Sequence, residues 1–185
     1  MDYDDIVRHI GEGFESARKT LGVLTGREVE VTSVTSCEVS LSEVPFLAGA
    51  PESLVLASYV RYSGDCRGQI LILYRPDNAR DLARSLVPEF LAELEGAESE
   101  VLLESVVSEV SNILGSAALN AIADGTESTL RPSPPYIIRD MAGAILEAAL
   151  ASGAVLSEKV PVVDVAMKLG ETNVGAEMIF LPECT

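Results

Sequence analysis

The sequence contains no tryptophan, and aromatic residues make up only 5% of it, whereas 48% of its 185 residues are hydrophobic. A folded core must therefore be built mainly from valine, leucine, isoleucine and alanine. This hydrophobic content excludes wholesale disorder, and the length suits one domain or a duplicated unit that shares one core. No uninterrupted apolar run approaches the roughly 18 residues of a membrane span, which predicts that the chain does not insert into a membrane.

Basic residues are also scarce, because 13 lysines and arginines stand against 29 acidic residues and give a formal net charge of −16. An acidic surface repels phosphate backbones, so nucleic acid is not an expected partner. A protein with a basic patch is a more suitable one. The acidic segment 89–104 fits either a solvated helix start or a docking surface for such a partner, and the sequence leaves both interpretations open.

Cysteine and histidine are too few to indicate a metal site. The three cysteines, Cys37, Cys66 and Cys184, are odd in number and lack metal-ligand spacing, so we predict reduced thiols in a cytosolic protein. His9 is the only histidine, and we expect a half-exposed helix residue there, not a ligand. The polar, acidic start of the sequence does not resemble a signal peptide, and the expected location is cytoplasmic.

The two halves of the chain resemble each other at a shift of 100 residues. Segments 5–17 and 105–117 carry apolar residues at equivalent positions with helical spacing, so each is predicted to be an amphipathic helix that buries the same face. We therefore predict one domain, 1–185, built from two repeats, about 1–97 and 98–185. No linker is long enough to separate them.

Two β-hairpins are predicted at related positions in these halves. The first joins segments 53–62 and 68–76, and the second joins segments 159–169 and 175–182. A further strand is predicted at 27–35. Together with the helices, these elements predict an α/β fold of the α+β kind, with a pseudo-twofold duplication and a mostly antiparallel sheet packed against long helices.

Two more helices are predicted from apolar spacing. One covers 77–96, with Asp77 as a plausible N-cap after Pro76. The other covers 136–153 and follows a short segment in which three prolines break the chain. Both predictions depend on periodicity alone.

The helix predicted over about 98–124 has an unusual polar face. Its polar side chains recur at steps of 4, 3 and 4 residues and so form one line: Ser105, Glu109, Asn112 and Ser116. A second line is predicted to face the core: Val106, Val110, Ile113, Ala117 and Ala121. Serine and asparagine are poor helix formers, so the polar line indicates either a solvated stripe or a functional purpose.

A glutamate and an asparagine on one helix face can assist phosphoryl hydrolysis on a partner. The asparagine amide is both donor and acceptor, which suits holding a water molecule in line with an electrophile, and glutamate can pair with a cation. Phosphoryl hydrolysis needs mainly a positioned water and compensated charge, supplied partly by Mg²⁺. The sequence shows no obvious site for phosphate or metal, so the partner would supply both.

The spacing of these residues resembles the motif of the CheC/CheX/FliY family of chemotaxis phosphatases. That motif has Asp or Ser, three residues, Glu, two residues, Asn, 22 residues and Pro. Ser105, Glu109, Asn112 and Pro135 match it. Segment 62–87 also looks like the family's strand–turn–strand–helix segment.

The resemblance implies hydrolysis of the aspartyl phosphate of a CheY-like response regulator in chemotaxis signalling. It assigns Asn112 to orienting the attacking water and Glu109 to pairing with the regulator's lysine. Ser105 and Pro135 complete the motif without direct chemistry. It further implies that the chain has no cofactor of its own and that Mg²⁺ comes with the phosphorylated partner.

The first half departs from the motif. At the 100-residue shift Asp5 matches Ser105, but His9 and Glu12 replace the glutamate and the asparagine. We therefore predict one active site. The alternative is a non-catalytic binding module, like the related switch protein FliM, that binds CheD or a flagellar switch protein.

Overall fold

Antiparallel β-strands form the centre of the fold, and helices pack on both faces of the sheet. The structure is a computed structural model that describes residues 3–47, 49–87, 96–152 and 158–183. The helices in these ranges are α1 (Tyr3–Thr25), a 3₁₀ helix (Val44–Phe46), α2 (Pro76–Leu86), α3 (Ala97–Gly125) and α4 (Ala142–Ser152). The strands are β1 (Val29–Ser40), β2 (Leu54–Gly64), β3 (Gly68–Tyr74), β4 (Leu130–Pro132), β5 (Tyr136–Met141), β6 (Lys159–Leu169) and β7 (Thr172–Pro182).

The sheet follows the order β1-β6-β7-β3-β2-β4, and β5 also pairs with β2. Each of these pairings is antiparallel, so the predicted fold class is confirmed. The two predicted hairpins are β2–β3 and β6–β7. The strand after α1 pairs with β6, and the strand after α3 pairs with β2. The division into repeats of about 1–97 and 98–185 stays a prediction.

Two hydrophobic cores lie on opposite faces of the sheet. On β3, Ile70 and Ile72 point into the core under α1, α2 and α3. Leu71 and Leu73 point into the core under α4 and the 3₁₀ helix. Because β3 is covered on both faces, its sequence is a continuous apolar run and does not alternate with polar residues.

The prediction of a helix over 136–153 is wrong for the first six of these residues. They form strand β5, which pairs with β2 from Tyr59↔Tyr136 to Leu54↔Met141. Helix α4 begins only at Ala142. Tyrosine and isoleucine at the start of the segment favour a strand, and pairing with β2 decides the conformation.

The predicted start of α2 also needs correction. The helix begins at Pro76, and Arg75 is the N-cap residue, so Asp77 lies in the first turn and forms no cap. Proline suits the first helical position because its missing N–H would have no partner there. The helix described ends at Leu86, and most of the remaining predicted segment lies outside the described residues.

The prediction of reduced thiols is wrong for Cys66, which is disulfide-bonded. Cys37 is free and exposed, and Cys184 lies outside the described residues. Partial burial, with a smaller contribution from Asp164, raises the pKa of the Cys37 thiol. The backbone N–H of Glu183 donates to the Arg67 carbonyl at 2.9 Å, so the end of β7 lies beside the turn that contains Cys66. Sequence spacing could not show this proximity.

Within the described ranges, α3 is the helix long and apolar enough to cross a membrane by length and composition. However, 56% of its apolar window is buried inside the protein, where it packs with α1, α2 and the sheet. We therefore interpret α3 as a core helix.

Candidate functional site

Helix α3 carries the candidate site, and its two ends are well defined. Glu98 and Glu100 lie in the first turn, where a negative charge interacts favourably with the helix dipole. At the other end, the Thr126 hydroxyl donates to the carbonyl of Ile122 at 2.7 Å and satisfies one of the last acceptors. The candidate residues therefore lie in the middle of a long regular helix.

The buried face of α3 is rotated from the predicted line. Val106 and Val110 are buried, but Ile113, Ala117 and Ala121 are only partly buried. The most deeply buried positions include Val107, Leu114, Ala118 and Ile122. The prediction was inaccurate because apolar residues cover most of the helix surface, so the pattern does not fix the centre of the buried face.

Ser105, Glu109 and Asn112 are all exposed on the opposite side of α3, and Ser116 is partly buried. The side chains of Glu109 and Asn112 form no hydrogen bond or ion pair with any residue in the described ranges. They are therefore open to a partner, as the polar spacing predicts. Nothing in the protein has to move before another molecule can contact them.

The polar line continues toward the start of α3 with an apolar residue. Val101 precedes Ser105 by one turn and is 67% exposed. We use the name helix ridge for Val101, Ser105, Glu109 and Asn112. A single exposed valine does not by itself mark an interface. Val101 is relevant here because it shares a helix face with Ser105, Glu109 and Asn112.

Strand β5 lies alongside this ridge. Arg139 of β5 forms an ion pair with Glu100 in the first turn of α3. Ile137 packs on the same core as residues of α3. Pro135, the last motif residue, is partly buried immediately before β5, and Tyr136 after it is 67% exposed. The motif proline therefore immediately precedes the strand that flanks α3.

Contacts on the buried face of α3 hold the helix against the sheet. Ser111, next to Asn112 in sequence but on the buried face, is 0% exposed and shares a hydrogen bond of 3.1 Å with the Tyr74 hydroxyl of β3. Burial raises the pKa of that hydroxyl, and the Ser111 hydrogen bond opposes the rise. A Cβ at Gly115 would lie 3.7 Å from Val60, so the helix runs close to the sheet. These contacts fix the rotation of α3 and so the direction of Asn112.

The equivalent positions in α1 do not form a second such pair. Glu12 is exposed, whereas His9 is partly buried against the end of α3, and its Nε2 has no hydrogen-bond partner. A Cβ at Gly125 would lie 2.1 Å from the imidazole Nδ1, so glycine is required to accommodate the ring. Among the described residues, no group of three acidic, histidine or cysteine side chains is arranged to hold a metal ion.

The chain is similar in sequence to a characterised chemotaxis protein. No protein-family model matches the chain. The CheY-P phosphatase CheC of Bacillus subtilis is 26% identical over 184 residues, which cover 97% of this chain and 87% of that protein. The similarity therefore extends over both halves.

Solved structures share the fold. FliY of Thermotoga maritima superposes with a TM-score of 0.68 at 19% identity, covering 96% of this chain and 88% of that one. The middle domain of FliM from Vibrio alginolyticus gives 0.61 at 11% identity, covering 96% and 93%. The CheX–CheY–BeF₃–Mg²⁺ complex from Borrelia burgdorferi gives 0.58 at 14% identity, covering 95% and 98%.

These structures show that the chain has the fold of the chemotaxis proteins named above, an antiparallel sheet packed against long helices. The resemblance to the CheC/CheX/FliY family is confirmed, and the chain is CheC-like over nearly its whole length.

Proposed function

We propose that this protein hydrolyses the aspartyl phosphate of a CheY-like response regulator, with Asn112 and Glu109 as its catalytic residues. The similarity to CheC supports a CheC-family function in chemotaxis. The observation that carries the finer proposal is that Glu109 and Asn112 lie open and unpaired on the exposed face of α3, at the motif's distance from Ser105 and Pro135. A cytoplasmic location is consistent with this role.

The proposed step needs no titrating group from this chain. A water oxygen attacks the phosphorus, the bond between phosphorus and the aspartyl oxygen breaks, and the aspartate leaves as a carboxylate. The water proton passes to the released phosphate. The Asn112 amide accepts from or donates to the water and holds it in line, and Glu109 pairs with the regulator's lysine. The regulator supplies the phosphoryl group and Mg²⁺, which compensates its charge.

The direct test is release of inorganic phosphate from a phosphorylated CheY-like regulator with and without this protein. We expect the protein to increase the rate at substoichiometric concentration, because one copy turns over many regulators. A rate equal to that of the regulator's own hydrolysis, at every concentration of added protein, would rule out the phosphatase. The regulator should come from the same organism, so that its docking surface matches.

A second candidate function is a binding module. The FliM middle domain has the same fold, so this fold is compatible with a switch protein. The partner expected for such a module is CheD or a flagellar switch component. Glu12, the exposed α1 residue at the position of the motif asparagine, could contact such a partner. Association with such a partner, without any phosphate release, would favour this alternative.

The helix ridge makes a prediction about docking. Val101→Ser is expected to raise KM for the phosphorylated regulator about tenfold, because an exposed valine covered by a partner loses about 1–1.5 kcal/mol of apolar contact when truncated. The value of kcat should not change, because Val101 is about two turns away from Glu109 and about three from Asn112. The measurement is the initial rate of phosphate release over a range of regulator concentrations.

Val23→Ser is the matched control. Val23 is a valine on α1 that is 87% exposed and lies outside the helix ridge. The KM of the Val23→Ser variant for the phosphorylated regulator should equal that of the wild type. A KM for Val101→Ser within about twofold of the control would show that the regulator does not cover this end of α3.

A further inference from the structure

Three arginines face one cavity at the end of the β2–β3 hairpin. The cavity has a volume of about 390 Å³, and its lining includes Arg61, Arg67, Arg131, Tyr62 and Glu183. The whole chain has only 13 basic residues against 29 acidic ones. A concentration of positive charge at one place is therefore notable in this protein.

Strand pairing brings these arginines together. Ser63 of β2 is opposite Arg131 of β4, and Arg61 is two residues from Ser63, so Arg61 and Arg131 lie on the same face of the sheet. Arg67 is in the turn just before β3. Ser133 fixes the neighbouring backbone, since its N–H donates to the Arg61 carbonyl at 2.7 Å and its hydroxyl accepts from the Arg61 N–H at 3.1 Å.

These arginines lack carboxylate partners among the described residues, and the Arg61 guanidinium lies over the ring of Tyr59, 5.6 Å from its centroid. None of the three forms an ion pair with a residue in the described part of the chain, whereas Arg18, Arg80 and Arg84 each pair with an acid on their own helix. Glu183 is the acidic residue among those that line the cavity. Three guanidinium groups that share one cavity repel each other unless an anion lies between them.

We propose that this cavity is a binding site for a small anion with two or more oxyanion groups, phosphate or carboxylate, held by Arg61, Arg67 and Arg131. The guanidinium fork matches both kinds of group with paired hydrogen bonds. The volume is within the range of small-molecule sites. Glu109 and Asn112 do not line the cavity, so this site is separate from the proposed phosphatase site.

The test is a titration of the ¹⁵N-labelled protein with pyrophosphate and, separately, with citrate, at a constant ionic strength of about 0.15 M. We expect saturable shifts of arginine Nε–H resonances with at least one of the two, and the stronger probe identifies phosphate or carboxylate as the preferred group. The double variant Arg61→Gln, Arg131→Gln should weaken binding at least about tenfold. Arg27→Gln changes an exposed arginine outside the cavity and should bind as the wild type does.

The proposal is overturned if neither probe gives saturable shifts, or if the double arginine variant binds as tightly as Arg27→Gln.

Discussion

Asn112→Ala is expected to lower kcat for phosphate release from the regulator by about 100-fold or more, because the amide is the group on this chain that can hold the attacking water. KM should change little, since the alanine removes an interaction with the water and not with the regulator. The measurement is phosphate release at saturating regulator. Glu109→Ala should instead raise KM strongly, because it leaves the regulator's lysine unpaired in the complex.

Asn120→Ala is the matched control for this experiment. Asn120 is an exposed asparagine two turns further along the same helix. Both substitutions replace asparagine by the best helix former, so neither should destabilise α3, and any difference in rate between them must come from the position. Equal rates for Asn112→Ala, Asn120→Ala and the wild type would remove Asn112 from the mechanism. Binding of a BeF₃-activated regulator to Asn112→Ala would show separately that docking is retained.

The sequence contains enough information to predict the exposed polar line, because helical spacing alone puts Ser105, Glu109 and Asn112 on one side of α3. It also predicts the two hairpins, whose polar turns and β-branched strands are local signals. These features depend on residues that are near each other in the chain. Spacing cannot assign chemistry to them, and the catalytic roles remain proposals.

Features that depend on strand pairing could not be predicted in the same way. Residues 136–141 have an apolar pattern compatible with a helix, and only pairing with β2 makes them a strand. The cavity was missed for the same reason. Arg61 and Arg131 are 70 positions apart in the sequence, and they share a face only because β4 pairs with the end of β2.

His9 in α1 does not have the role proposed for Glu109, the residue at the equivalent position of α3. His9 occupies the place of the glutamate, yet its ring packs against Gly125 at the end of α3. A residue that would face a partner in the second half therefore contacts the other half here. This contact helps to place α1 against α3, so the degenerate half supports the helix that carries the candidate site.

Gly13→Ala is expected to lower the free energy of unfolding by about 1–3 kcal/mol, because α1 and α3 are too close at this point for a side chain. A Cβ at Gly13 would lie 2.8 Å from the Ala117 carbonyl oxygen and 3.1 Å from the Ala118 Cα, and both atoms are backbone. Neither can rotate away, so α3 itself must move. Denaturant unfolding measures the loss. A displacement of about 1 Å at Asn112 should also reduce phosphatase activity of the folded variant about 100-fold.

Gly11→Ala is the control, and the opposite sign is expected for it. Gly11 is two residues away in α1, and a Cβ there would have no atom within 4 Å. Alanine in an exposed helix position should raise stability by about 0.5–1 kcal/mol, because glycine loses more conformational entropy on folding. The two variants have the same composition, so a difference of about 1.5–4 kcal/mol between them can come only from the contact with α3. If Gly13→Ala is as stable as Gly11→Ala, the two helices do not pack closely enough to fix the direction of Asn112. The claim that α3 holds Glu109 and Asn112 in a fixed orientation would then be wrong.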